Sequence, residues 1–266
     1  MPLTSIVALF LSLPVLASSQ AALTSWTRSS DPGSGMVARD IAVAQSENMR
    51  DAAGALHAIV KTQKISPDEA ARSITVEGNG REAGLAEWLI GELDSSTAAP
   101  TGHGYIMPHD KDDVTVVIGG FRLGAVSAGA SRVATAADLQ EVANAIRVLG
   151  DIPRTTVYAP SSVLVWRGKV WQSDFATWLL GELANPPAAN WTAPVSHRLN
   201  QVSPNVRIFY FPPEPTAAEL GPIVNSIRQK ASAPKVVAIN ADRAIVVRGS
   251  DIETTAAEQI VAAARR

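Results

Sequence analysis

The chain of 266 residues predicts an α+β fold made of three small tandem βαββα domains, each a mixed three-stranded sheet with two helices on one face. Two internal repeats indicate this arrangement. At an offset of 81 residues, 135–183 align with 216–264 without a gap, and at an offset of 90 residues AEWLIGEL (86–93) aligns with ATWLLGEL (176–183). One dipeptide position also recurs in each copy: Glu77-Gly78, Arg167-Gly168 and Arg248-Gly249.

The third copy shows the order of elements most clearly. Its first strand is VRIFYF (206–211), a run of β-branched and aromatic residues. Thr216 and Glu219 then form a predicted capping box. Spacings of i, i+3, i+4 and i+7 predict one apolar helix face, made of Leu220, Ile223, Val224 and Ile227. KVVAI (235–239) and AIVV (244–247) predict a hairpin across the turn at 240–243, and a last helix follows from about Ile252.

The second copy repeats this order. Thr135 and Asp138 open its first helix, and strands follow at 155–158 and 163–166. The apolar residues of its two helices are Leu139, Val142, Ala143 and Ile146, then Phe175, Trp178, Leu179 and Leu183.

The first copy has the same pattern with a weaker middle strand, because Pro67 and Asp68 fall where that strand should lie. Its last strand is predicted at 74–76. The apolar residues of its two helices are Met49, Ala52, Ala53 and Leu56, then Leu85, Trp88, Leu89 and Leu93.

Two helices cover only one face of such a sheet. Trp166 alternates with Val163 and Val165 on one strand, so both faces of that strand carry apolar side chains. The sequence therefore predicts that something contacts the second face.

The domain boundaries follow from composition. Domain 1 spans 36–93, domain 2 spans 113–183 and domain 3 spans 206–266. A flexible leading segment (18–35), a polar linker (94–112) and a proline-rich linker (184–205) separate them. Residues 1–17 are predicted to be an export signal peptide, since SIVALFLSLPVLA is too short to span a bilayer and Val15 and Ala17 suit a cleavage site. No other apolar segment is long enough to cross a bilayer, so we expect a mature protein without a transmembrane span. We expect it in the periplasm or otherwise exported, with association with the outer membrane as one alternative.

Composition excludes several function classes. The net charge is −2, which argues against a nucleic-acid binder, and RNA binding by a KH-like βαββα variant is disfavoured for the same reason. The absence of cysteine excludes disulfides, thiolate metal sites and cysteine nucleophiles.

The triple βαββα array behind a signal peptide resembles the periplasmic N-domains of bacterial secretins, the short domain of type II and III secretion and type IV pilus channels. The segments that carry the resemblance are VRIFYFPPEPTAAELGPIVNSIR, KVVAINADRAIVVRGSDIETTAAEQIVAAA and SSVLVWRGKVWQSDFATWLLGEL. The resemblance covers 113–266 and, more weakly, 36–93. It implies a periplasmic scaffold whose domains pack side by side or receive partner proteins. A secretin continues into a membrane β-barrel, whereas this sequence stops at Arg266, so a channel is not expected from it alone.

Few residues suggest chemistry. His103, His109 and Asp110 are candidate metal ligands in GHGYIMPHDKDD, although a solvated linker explains them as well. Gly78-x-Gly80-x-x-Ala83 has the form of a dinucleotide fingerprint, but the other copies lack its second glycine, which favours a structural corner. His57 is expected on the surface. No catalytic motif and no cofactor are predicted.

We therefore expect a non-enzymatic, exported scaffold or protein-interaction protein. Its candidate interaction residues are Trp166, Arg167 and Arg248, the two arginines through salt bridges between domains or subunits, or simply as solvated hairpin ends. The expected partners are envelope proteins, with secretion or pilus components among them, and further copies of the chain. The alternative is an exported enzyme, ligand-binding or metal-binding protein with a site near His103 and His109.

Overall fold

The computed structural model describes residues 23–28, 33, 35–95, 102–108, 110–124, 132–187, 193–199, 205–211 and 217–265. In this part of the chain, six α-helices pack on small sheets that are mainly antiparallel. The predicted signal peptide, His109 and the capping box at Thr216 lie outside the described residues.

The helices and strands have the following bounds. The helices are α1 (Met49–Ile59), α2 (Gly80–Ser95), α3 (Ala136–Leu149), α4 (Val170–Ala184), α5 (Ala217–Lys230) and α6 (Asp251–Ala264). The strands are β1 (Leu23–Arg28), β2 (Met36–Ala42), β3 (Lys64–Asp68), β4 (Ser73–Asn79), β5 (Gly102–Ile106), β6 (Asp113–Ile118), β7 (Arg122–Leu123), β8 (Arg132–Val133), β9 (Arg154–Tyr158), β10 (Val163–Lys169), β11 (Val195–Arg198), β12 (Asn205–Tyr210), β13 (Lys235–Ile239) and β14 (Ala244–Gly249).

One order of elements, strand–helix–strand–strand–helix, occurs three times. We call β2-α1-β3-β4-α2 the first core, β6-α3-β9-β10-α4 the second core and β12-α5-β13-β14-α6 the third core. In each core the last strand lies between the other two and is antiparallel to both. The prediction of mixed three-stranded sheets is wrong for these cores. The two strands that run in the same direction lie on opposite sides of the last strand, so they never become neighbours.

Extra strands extend two of the sheets. The sheet of the second core has the order β1-β5-β6-β10-β9, and that of the third core has the order β11-β12-β14-β13. A three-stranded sheet is therefore observed in the first core but not in the other two. These strands lie in the segments predicted as a leading segment and linkers. Their sequences, LTSWTR, GHGYI and VSHR, mix strand-favouring residues with glycine, serine and charged residues, so local propensity alone does not determine these strands and pairing with a neighbour does.

The middle strand of the first core forms despite its proline. Pro67 lies opposite Ile74 in β3, at the edge of the sheet. An edge strand tolerates a residue without an N–H, because only one side of the strand has a hydrogen-bonded partner.

Local signals of helix starts and turns are confirmed. Thr135 and Asp138 form the capping box of α3, in which each side chain accepts from the backbone N–H of the other residue. The turn between β13 and β14 places Arg243 at a φ of 51°, and Ser162 occupies the matching position between β9 and β10.

The predicted apolar helix faces lie in the cores. In the third core, α5 and α6 cover one face of the sheet through a cluster that contains Phe209, Phe211, Ile245 and Val247. Of the aromatic residues predicted on the closing helices, Phe175 is fully buried, whereas Trp88 and Trp178 are half-buried.

Candidate interaction site between successive cores

Helix α1 of the first core lies on the outer face of the second core's sheet. Side chains alternate along β10, so Leu164 and Trp166 face α3 and α4 while Val163 and Val165 face the other way. The latter pair is buried with Leu56 and Ile59 of α1 in one apolar cluster. The contact predicted for the second face of this sheet is confirmed.

Helix α3 of the second core lies on the third core's sheet in the same manner. The sheet contributes an apolar row to the cluster that contains α3: Val206, Ile208, Tyr210, Val237, Ile239, Ala244 and Val246. Glu141 of α3 accepts hydrogen bonds from the backbone N–H of Asn240 (2.7 Å) and Ala241 (3.3 Å), and from the side-chain amide of Asn240 (3.0 Å). A helix thus docks on the next sheet twice in this chain.

A buried arginine marks the edge of the first contact. Arg167 is 4% exposed and donates to Glu82 of α2 at 2.7 and 2.8 Å and to Asp113 at 2.7 and 2.8 Å. It also donates to the carbonyl of Ile59 at the end of α1, at 3.4 Å. Burial disfavours the charged guanidinium, but these carboxylates outweigh burial and raise the pKa of Arg167. Burial alone would raise the pKa of Asp113, but the hydrogen bonds and positive charge of Arg167, with smaller contributions from Lys61 and Lys169, lower it below its usual value.

The second contact has an arginine at the equivalent place. Arg248 donates to the carbonyl of Leu149 at the end of α3 (2.5 Å) and to the Asp151 carboxylate (2.7 Å). Lys235 also binds Asp151, at 2.5 Å. Burial raises the pKa of Asp151, but Lys235 and Arg248 more than offset this, so the pKa lies below its usual range.

Each arginine has a second cation beside it. Arg154 lies opposite Arg167 in the ladder, and Lys235 lies opposite Arg248. Arg154 donates to the carbonyls of Ile59 and Val60, at 3.2 and 3.5 Å. The last carbonyls of a helix lack partners within the helix and carry its negative dipole end, so cations are favoured there. Both contacts therefore place two cations from one sheet at the carboxyl end of the preceding core's first helix.

The first core presents no such face. At the positions equivalent to Arg167 and Arg154 it has Glu77 and Lys64, which pair with each other at 2.8 Å. On the same face Thr75 donates to Asp40 at 2.6 Å. This polar face explains why, in the described part of the chain, no helix lies on it.

Helix α5 of the third core lacks the apolar residues through which α1 and α3 contact a sheet. Ala145 of α3 is fully buried and Val148 packs against the same cluster. The equivalent residues of α1 are Ala55 and Ala58, but those of α5 are Ser226 and Gln229. In the described part of the chain, these apolar contact positions occur on α1 and α3, which each lie on a sheet, and not on α5.

A carboxylate is buried at the second contact. Asp242 is 2% exposed, and its carboxylate accepts no hydrogen bond within the described residues. Burial is the main reason why its pKa is raised to about 8; Arg132 opposes this effect, and the carboxylates of Asp138 and Glu141 add to it. Sequence reasoning gave no indication of this residue, because the same turn in the second core carries Ser161.

The structure separates the predicted interaction residues. Arg167 and Arg248 lie at the two contacts between cores. Trp166 is fully buried inside the second core, where its indole N–H donates to Ser173 at 3.1 Å, so its side chain does not reach the contact surface. Glu82, Glu141, Arg154 and Lys235 were missed. Arg154 and Lys235 align at the offset of 81 residues. This repeated positive charge was a signal in the sequence that could have identified them.

The histidine segment does not bring its described candidates together. Nδ1 of His103 lies 2.5 Å from a carboxylate oxygen of Glu92, and His103 pairs with Val117. Asp110 lies in the turn that joins β5 to β6, near Lys169 at 3.6 Å. Since a strand rises about 3.3 Å per residue, most of the strand's length separates these two side chains. Within the described ranges, no group of three or more His, Asp or Glu residues is arranged to hold a metal ion.

Two other sequence features have simple positions. His57 is exposed, as expected. Gly78 and Gly80 lie where an antiparallel strand passes into α2, and a Cβ at Gly78 would approach the Thr62 side chain to 3.2 Å. The close approach is to the protein's own backbone and side chain, which agrees with a structural corner.

Comparisons with known proteins give little. No family model matches the chain, and no curated protein matches it. Among solved structures, the ETEC pilotin–secretin AspS–GspD complex is 13% identical with a TM-score of 0.22, covering 88% of this chain and 39% of that one. ExeD of Aeromonas hydrophila is 13% identical with a TM-score of 0.20, covering 88% of this chain and 42% of that one. The chain thus spans less than half the length of these structures. Across the described residues, none of the helices combines the length and apolar character that crossing a membrane requires.

Proposed function

We propose that the chain is an exported, non-enzymatic scaffold built from three tandem βαββα domains, at 36–93, 113–183 and 206–266, and that it acts in a secretion or pilus assembly of the cell envelope. The observation that carries the proposal is the repeated contact between domains. Twice, the first helix of one domain covers the open sheet of the next, and twice a pair of cations holds the end of that helix.

This contact supports a scaffold because it fixes the order and orientation of the domains. Apolar burial over a whole sheet face is a strong, non-directional attraction, and the buried ion pairs add geometric specificity. The array would present its remaining sheet edges and helix flanks at fixed separations to envelope proteins or to further copies of the chain. The likeness of its sequence to secretin N-domains gives the expected setting, the periplasm.

The proposal is tested by purifying tagged full-length protein from cross-linked envelopes of the organism that encodes it, with mass spectrometry of what is recovered. We expect enrichment of secretion or pilus components. Ala145→Glu, which places a charge in the contact between domains 2 and 3, should reduce the enrichment. Ser226→Glu, the matched change on the undocked helix α5, should leave it intact. Recovery of no envelope component above the untagged strain would contradict the proposal.

A further inference from the structure

The outer edge of β2 differs from the equivalent edge in the other two cores. In the second core, β5 pairs with the outer side of the first strand, and in the third core β11 does so. Both added strands are antiparallel to the strand that they cover. In the first core β2 is the edge of its sheet, and no described strand pairs with its outer side. The strand that precedes it, β1, pairs in parallel with β5 instead.

The backbone groups of this edge point outward at every second residue. The backbone N–H of Val43 donates to the carbonyl of Arg72, and the carbonyl of Gly35 accepts from the N–H of Gly80. The backbone N–H and C=O groups of the odd-numbered residues therefore point toward β4. Residues alternate along an antiparallel strand. The N–H and C=O groups of Ala38 and Asp40 therefore face away from the sheet. Their side chains are exposed, and Met36 at the start of the strand is 60% exposed.

An edge of this kind is normally protected. Natural proteins block exposed edges with proline, with short strands or with covering elements, because an open edge pairs with other chains. The opposite edge of the same sheet, β3, contains Pro67, and the edges β9 and β13 lie under α1 and α3. Within the described residues, the seven-residue strand β2 contains no proline, has no strand on its outer side and is covered by a helix, α2, on one face only.

The charges beside this edge are mainly acidic. Asp40 lies on β2 itself. Glu87 of α2 accepts from Arg39 on the strand (2.7 Å), and Asp94 of α2 accepts from the backbone N–H of Ala44, two residues after the strand ends (2.9 Å). Three carboxylates therefore accompany one arginine. A strand added here would bring its side chains next to them, which favours lysine or arginine.

We propose that the free edge of β2 binds an extended, basic segment of a partner protein, which adds to the sheet as an antiparallel strand. This inference deepens the scaffold role proposed above, on which it rests for the existence of a partner. The main chain would supply the affinity and the carboxylates the selectivity.

The test uses the full chain and two fluorescent heptapeptides with blocked ends, one alternating valine and lysine and the other alternating valine and glutamate. We expect saturable binding of the lysine peptide in fluorescence anisotropy, and binding of the glutamate peptide weaker by at least about tenfold. Ala38→Pro removes an outward N–H without touching the ladder to β4 and should weaken binding by about tenfold or more, the effect of one or two lost hydrogen bonds. Ala38→Ser keeps the N–H and is the matched control.

Asp40→Lys gives a second, independent readout that needs no proline, and it should abolish the preference between the peptides, because two carboxylates would then face two cations. Equal binding by wild type and Ala38→Pro would overturn the proposal, since it would indicate only electrostatic adsorption. Slow hydrogen exchange of the Ala38 and Asp40 amides in the free protein would also overturn it, because the chain's own β1 would then occupy the edge. If Ala38→Pro still captures envelope components, the edge proposal fails and the scaffold role stands; if wild type captures none, the scaffold role itself fails.

Discussion

Arg167 and Arg248 occupy the same position in successive cores but differ in their access to water. The Arg167 side chain is 3% exposed and its partner Glu82 is 6% exposed, whereas Asp151, the partner of Arg248, is 49% exposed. A buried ion pair costs desolvation energy, and removing one partner leaves the other charge buried and unpaired. The two arginines should therefore differ in energetic weight although their geometry is alike.

The prediction for Arg167 follows from this difference. Arg167→Met should lower the free energy of unfolding by about 3–5 kcal/mol, since Glu82 and Asp113 lose their shared cation. Arg39→Met breaks the exposed pair with Glu87 and should cost less than about 1 kcal/mol. Urea denaturation followed by circular dichroism measures both. Equal losses in the two variants would show that the buried pair has no special weight.

Asp242 predicts a pH dependence of stability. Burial raises its pKa to about 8 in the folded protein, while an unfolded aspartate titrates near its ordinary value of about 3.9. The unfolded chain therefore releases this proton first. The stabilisation is complete below about pH 4, falls between about pH 4 and 8, and is fully lost above the folded-state pKa.

Asp242→Asn removes this titration and should be more stable than wild type at neutral pH. The advantage should grow by up to roughly 1.4 kcal/mol per pH unit between pH 4 and 8 and then level off. Thermal unfolding of both proteins across this range tests the prediction. A difference between them that does not change with pH would mean that Asp242 titrates normally.

How far the sequence predicts residue contacts depends on repetition. The offset of 81 residues aligns Arg167 with Arg248 and Arg154 with Lys235. Their acidic partners do not repeat: at the offset of 90 residues, Glu82 aligns with Gln172, and Asp151 aligns with Lys61. A pair of charges separated by 85 residues, such as Glu82 and Arg167, leaves no local pattern, so only the fold could show it.

At the scale of elements, the docked helices and the undocked one differ in a few side chains. Ala55 and Ala145 bring α1 and α3 close to a following sheet, while α5 has Ser226 at that position. Small apolar residues allow the close approach that a helix needs to pack against a sheet.

The element-scale prediction compares these positions directly. Ala145→Glu should destabilise the protein by about 3 kcal/mol or more, because a carboxylate would be buried without a partner between α3 and the third sheet. Ser226→Glu should cost much less, about 1 kcal/mol or less, because Ser226 is half-buried on α5 and is not enclosed between a helix and a sheet. Chemical denaturation of the two variants gives both values. A loss in Ser226→Glu equal to that in Ala145→Glu would contradict the assignment of α5 as the undocked helix.

Helices were more predictable than strands. The helix periodicity at 139–146 and the capping box at Thr135 are local signals, and the structure has both. β1, β5 and β11 were missed, because a strand of four to six residues with mixed composition forms only when a distant edge pairs with it. Pro67 predicted a weak middle strand, yet β3 pairs with β4 in continuous register from Lys64 to Asp68.

At the scale of the whole molecule, the two contacts make a directional series. Each contact uses a helix of one core and the sheet of the next. The outer face of the first sheet and the outer flank of α5, which would make the equivalent contacts, are both polar. The same contact therefore does not extend the described series beyond three cores. Further partners are expected to bind at edges and flanks.

The central claim is that the three cores form one body through these contacts, and spin-label distance measurements test it most directly. The chain has no cysteine, so labels can be attached at His57→Cys in the first core and Asn225→Cys in the third, both exposed positions. A pair within the third core, Asn225→Cys with Ile252→Cys, gives the width of a rigid reference. We predict that the distance distribution between the first and third cores is as narrow as the reference and broadens in Ala145→Glu. A broad distribution in the otherwise unaltered protein would contradict the account, since the cores would then move independently.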